Sequence, residues 1–258
     1  MYFFTLRVVA LLIVFTTMLF SPQAQAVTDT AEIVNKAGMQ RMLSQRIAKA
    51  YLYLGNDISV KEAQLQLEQA LERFKNNHAL LKANVQDSET KDLLSFVEGT
   101  LSEYRTLANK PYSKESAARI LELSDILLEA CHSVTLNIEG KSGVQITRIV
   151  NISGKQRMLS QQVAKFYIAY QAGFRDDDTV GKLKKAISDF ESGIKTLREE
   201  GSNNGEIDSL LTKTEKEWAR VSPYFLKVRE GGLPLMVMTA TDEITKLADR
   251  ITGLYTAK

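Results

Sequence analysis

Two arginines, Arg41 and Arg157, occupy the same place in a stretch that the chain contains twice. Residues 35–51 read NKAGMQRMLSQRIAKAY and residues 151–167 read NISGKQRMLSQQVAKFY, 116 positions apart, with eleven of seventeen residues identical. A guanidinium presents planar, paired donors that suit a planar oxyanion. Around each Arg the motif sets neutral hydrogen-bonding groups: Gln40, Ser44 and Gln45 in the first copy, Gln156, Ser160 and Gln161 in the second. These eight residues form the candidate ligand-binding set. At 100° per residue the first copy has an apolar stripe, Met39, Leu43, Ile47, Ala50 and Leu54, and a narrow second one, Ala37, Arg41, Ser44 and Ala48. The second copy repeats the narrow stripe as Ser153, Arg157, Ser160 and Ala164. Its small residues allow another helix to approach closely. A competing reading leaves Arg41 on a solvated or ion-paired face, with the small residues serving packing alone.

The elements that position these residues follow from the repeat. Dense ungapped identity implies a tandem duplication, and helical periodicity runs through both halves. The first half predicts four helices. One starts near Asp29, whose Asp29-Thr30-Ala31-Glu32 fits a capping box, and ends at Gly55-Asn56-Asp57. A second opens at the capping box Ser59-Val60-Lys61-Glu62 and carries Leu65, Leu67, Leu71, Phe74 and Leu81. A third starts at Asp87-Ser88, and Ser113 caps a fourth beyond the Pro111 break. In the second half, Asp176 to Thr179 begin a helix matching the one around Phe74, residues 201–205 form a loop, Pro223 and residues 231–234 bracket an irregular connection, and a last helix runs from about Leu235 to Tyr255. The expected architecture is all-α: two tandem antiparallel four-helix bundles, unit 1 over 27–141 and unit 2 over 142–258. At the join, Gly140, Gly143 and a third box, Ser142 to Gln145, favour a turn with the bundles side by side. One continuous helix of about sixty residues is the rival, since an interior Gly costs only about 1 kcal/mol.

The first 26 residues have the plan of a secretory signal peptide: Arg7, an apolar run from Val8 to Phe20, then Ala24-Gln25-Ala26. The remainder is expected to be soluble and periplasmic. Loss of Arg7 reduces the 33 basic residues to 32 against 31 acidic, a balance that gives no broad electrostatic reason to bind nucleic acid. Cys131 is the single cysteine, so no internal disulfide is possible, and its apolar neighbours suggest a buried thiol. Asp125, Glu129, Cys131 and His132 cluster on the fourth helix. A carboxylate-bridged metal site would need a second Glu-x-x-His pair, but Lys246 stands where Glu129 would recur. Neither metal nor cofactor is expected, and no catalytic constellation is visible.

The pattern Asn-x-(Ala/Ser)-Gly-x-Gln-Arg-Met-Leu-Ser-Gln-(Arg/Gln)-x-Ala-Lys-x-Tyr resembles the first-helix motif of the PilJ-type sensory domain, named for the type IV pilus methyl-accepting chemotaxis transducer. More distantly it is similar to the sensor domain of NarX-type nitrate/nitrite histidine kinases. The resemblance implies periplasmic four-helix bundles. In the nitrate-sensing members an Arg of this motif binds the anion where two first helices meet in a dimer, a role that falls by position on Arg41 and Arg157. Such sensors continue into a second membrane span and a cytoplasmic module. Here the sequence stops at Lys258, so a membrane sensor or envelope protein is the expected partner. A non-enzymatic helical scaffold for protein contacts is the alternative. Because the two first helices are already in one chain, a turn at the join would bring Arg41 and Arg157 together as an intramolecular pseudo-dimer.

Overall fold

The computed structural model describes residues 22–143, 145–230 and 232–258, with side chains from residue 29 onward. Residues 1–21 of the expected signal peptide lie outside the described residues. Eight helices follow: α1 (Pro22–Gly55), α2 (Val60–Asn84), α3 (Ser88–Ala108), α4 (Lys114–Ser142), α5 (Gln145–Gln171), α6 (Asp177–Arg198), α7 (Gly205–Leu226) and α8 (Pro234–Thr256). There is no strand among the described residues, and no helix there is long and apolar enough to cross a membrane.

The chain turns between the repeats, as the glycines suggested. Gly143 closes α4 in the left-handed conformation at φ 62°, where the absence of a Cβ removes the steric cost, and α5 begins two residues later. With that reversal, α5 packs along α1 over its length. Arg41 reaches Asn151, Arg157 reaches Asn35 and Arg46 reaches Gln161, a pattern that requires parallel helices in register. The two motif helices are therefore the shared spine. Around it, α2 and α4 flank α1, α6 and α8 flank α5, and α3 and α7 close the two bundles on the outside against α4 and α8.

That central position overturns the two-stripe picture of the motif. Residues 37–45 are buried on every face, because α1 touches α2, α4, α5 and α8 at once. Several local expectations also change. Helix α1 is already regular from Pro22, so Asp29 lies inside it rather than capping it. Ser59 precedes α2 in a left-handed conformation at φ 50° and makes no side-chain cap; an N-cap acceptor needs extended backbone to reach the next turn. Ser142 belongs to the last turn of α4, where its hydroxyl donates to the Glu139 carbonyl, and it also meets Thr147 Oγ1 in the first turn of α5 at 2.9 Å. Pro223 is inside α7, close enough to its end that the lost N–H interrupts only the final turn. Leu65, expected on the inner face of α2, is 47% exposed. Asp87, Ser113 and Asp176 do cap their helices, each accepting from the amide three residues on.

One glycine is required by packing. A Cβ on Gly55 would lie 1.9 Å from the Tyr112 ring, which rests against Tyr51 at 5.5 Å between centroids. Because that ring is clamped, Gly55→Ala is expected to destabilise the chain by about 1–3 kcal/mol. Urea denaturation with an unchanged midpoint would refute this.

Candidate functional site

Each motif helix carries an arginine into the spine. Arg41 and Arg157 are both 1% exposed. Each folds back over a glycine one turn earlier: a Cβ on Gly38 would lie 3.1 Å from Arg41 Nη2, and one on Gly154 would lie 2.9 Å from Arg157 Nη2. Those glycines, poor helix residues otherwise, make room for the guanidiniums. The same Cβ on Gly38 would lie 3.7 Å from Arg157 Nη2, so the two arginines are close neighbours across the α1–α5 seam.

Their partners differ. Arg157 Nη1 donates to Asp249 Oδ1 at 2.6 Å, a direct ion pair with α8, while Nη2 reaches the Asn35 carbonyl at 3.4 Å. Arg41 Nη2 donates to Asn151 Oδ1 at 2.6 Å and Nη1 lies 3.2 Å from His132 Nδ1. Its Nε, although buried, has no hydrogen-bond partner. No carboxylate pairs directly with Arg41 among the described residues; Glu139 acts at one remove by accepting from Asn151. Burial, with Arg157 adding to it, lowers the Arg41 guanidinium to about 10. Burial lowers Arg157 as well, and Asp249 opposes the shift.

The other candidate side chains disperse. Ser44 and Ser160 turn back to the carbonyls of Arg41 and Arg157, and Ser160 also meets Thr245 on α8. Gln45 donates to the Ser124 carbonyl on α4, and Gln161 donates to Asp242 and Thr245 on α8. Gln40 faces His78 on α2, and Gln156 packs beside Gly193 on α6. Thus only Arg41 and Arg157 meet at the seam; Gln45, Ser160 and Gln161 tie it to α4 and α8, Ser44 bonds within α1, and Gln40 and Gln156 face α2 and α6.

The Asp125 cluster is also divided. Asp125 pairs with Lys165 at 2.6 Å and Lys182 at 3.1 Å, His132 faces Arg41, and burial pushes the Cys131 thiol up to about 12, as befits an inert core thiol. Among the described residues no group of metal-ligating side chains assembles.

Sequence reasoning missed two motif positions. Lys49 and Lys165 are both fully buried. Lys49 Nζ pairs with Asp242 at 2.5 Å on α8, and Lys165 Nζ with Asp125 at 2.6 Å on α4, so each repeat inserts its lysine into the other repeat's fourth helix. Tyr51 donates to the Pro111 carbonyl, and Tyr167 accepts from the Leu233 amide, each fixing the third connection of its own bundle. Identity of Lys and Tyr in both copies was the available signal.

The fold and site together define an all-helical tandem bundle built around a paired, cation-bearing motif helix. The chain matches twice, over residues 24–125 and 145–243, the family described as the type IV pili methyl-accepting chemotaxis transducer N-terminal domain, PilJ, and it belongs to that family. Domains of this kind are sensory rather than enzymatic and typically periplasmic. No curated protein and no solved structure matches the chain.

Proposed function

We propose that this chain is an exported, non-enzymatic sensory domain that takes a small anion at the Arg41–Arg157 seam and relays its state to a membrane or envelope partner. The observation that carries the reading is the buried Arg41 guanidinium, which has a free Nε donor and no directly paired carboxylate. A buried cation lacking a counter-ion is costly, and a bound anion supplies one in a site shielded from water. Nitrate and nitrite match the planar donors of the guanidinium, and small tetrahedral oxyanions share the same chemistry. Relay would follow from the seam itself: two parallel helices that bring like charges together respond to an ion that relieves their repulsion. A passive scaffold would keep its small residues available to a partner, whereas Ala37, Ser44, Ala48, Ser153, Ser160 and Ala164 are all buried within the chain.

Thermal melting in nitrate, nitrite, sulfate and chloride at one ionic strength tests the proposal. An anion at a hundred times its Kd adds about 2.7 kcal/mol, which for a chain of this size raises Tm by about 5–10 °C. Identical melting curves across the panel would sink it.

A further inference from the structure

The two repeats are related closely enough that one chemical difference beside the arginines stands out. Helices α4 and α8 align at an offset of 117 residues, placing Asp125 over Asp242 and His132 over Asp249. The lysine pairs respect this symmetry: Lys49 meets Asp242 and Lys165 meets Asp125. The arginine pairs break it. Arg157 finds the Asp249 carboxylate at 2.6 Å, and Arg41 finds at the equivalent position the His132 imidazole at 3.2 Å. Burial and the neighbouring Arg41 and Lys155 charges hold that imidazole neutral by lowering it to about 4.

Space accompanies the missing charge. Arg41 and His132 border a cleft of about 290 Å³ between α4, α5 and α6, with Lys155, Lys182 and Lys185 around its mouth and Glu129 and Asp189 among them. The carboxylates there are shared: Asp189 serves Lys155 and Lys185, and Asp125 serves Lys182 together with Lys165, while Asp178 pairs with Lys182 from the outer side. Accepting at Nδ1 places the neutral His132 proton on Nε2, which makes the imidazole a second donor beside the free Arg41 Nε.

We propose that anion binding is one-sided: a single compact oxyanion enters this lateral cleft and is held by Arg41, His132 and Lys155, while the Asp249 carboxylate occupies the corresponding place at Arg157 and excludes a second ion. The inference rests on the anion reading above and adds the entrance, the stoichiometry and the residue that sets them. His132 versus Asp249 is the determinant, because each decides whether the adjacent guanidinium is neutralised by its own chain.

Isothermal titration with sodium nitrate and sodium sulfate tests it. The unmodified protein should bind one equivalent. His132→Asp supplies Arg41 with its own carboxylate and should weaken binding at least about thirtyfold, while raising Tm in the absence of anion, which distinguishes occupation of the site from misfolding. Asp249→Asn should unmask a second equivalent, and in Arg41→Gln/Asp249→Asn one equivalent should return at Arg157 after Arg41→Gln alone has lost it. Two equivalents in the unmodified protein would overturn the one-sided site, and one equivalent in Asp249→Asn with none in the double variant would overturn it in favour of a single ion shared by Arg41 and Arg157. No heat with either salt in the unmodified protein removes the anion reading itself.

Discussion

Asp242→Ala is expected to destabilise the folded chain by about 3–5 kcal/mol, the cost of leaving a buried charge without its partner. Lys49 is fully buried, and its ammonium lies 2.5 Å from Asp242 Oδ1. The same carboxylate accepts from Gln66 and Gln161 and stands 3.8 Å from Arg46, so one side chain on α8 satisfies groups from α1, α2 and α5. Burial already lowers Lys49 to about 8 with Asp242 present. Removing the carboxylate lowers it further, and the folded state then sheds a proton that the unfolded chain keeps. Sign follows from that difference: the unfolded state binds more protons, so the variant gains stability as pH rises, from below about 8 toward the ordinary lysine value of about 10.4. Urea denaturation at pH 7 gives the loss, and Lys49→Met/Asp242→Leu should recover most of it, since an apolar pair of similar volume avoids desolvating two charges. Asp125→Ala should cost less, because Lys165 retains Ser124 Oγ at 2.9 Å and lies 4.2 Å over the Phe166 ring. A loss below about 1 kcal/mol for Asp242→Ala would contradict the assignment of this pair as the lock between the repeats.

How far the sequence reaches can be judged at these same residues. Periodicity and three true caps locate the helices because those signals act within a turn or two of chain. Gly143 was legible for a related reason: a positive φ is a local demand that a glycine advertises. Ser59 deceived because a Ser followed by an acceptor three residues later specifies a cap only if the backbone enters extended. There the chain enters left-handed. Lys49 and Arg157 were harder still. Their partners are 193 and 92 residues away, and a cation in an amphipathic helix normally points to water. Only enclosure of α1 and α5 by several helices at once makes those positions interior. The arginines were found because the repeat and a family motif named them; the His132–Asp249 difference stands in the aligned sequence, but its meaning needed α4 and α8 in place beside the arginines.

Acidification from about pH 6.5 to about 4 is expected to remove ~1–2 kcal/mol of stability through His132 alone, after discounting for its partial exposure to solvent. The imidazole is lowered from its ordinary value to about 4 by burial first, then by Arg41 and Lys155. A group held neutral in the fold but free to charge in the unfolded chain contributes fully above its unfolded value, and that contribution is lost as pH falls through the folded one. Around it, Arg41 and Lys155 oppose the charge, and Glu129 and Asp189 are the carboxylates that line the same cleft. His78 is lowered too, by burial, and Lys165 and Lys182 hold Asp125 down against its burial, so the total pH slope has other contributors. The comparison with His132→Gln is diagnostic, because glutamine keeps a hydrogen-bonding group toward Arg41 and cannot take up a proton. Urea midpoints measured at half-unit steps from pH 4 to 7 should converge at the acid end, the unmodified protein losing more than the variant. Parallel curves would show that His132 does not titrate against Arg41. An anion seated beside both groups reverses the penalty, since a negative charge favours the imidazolium; its binding should then strengthen as pH falls through this window and bring proton uptake with it.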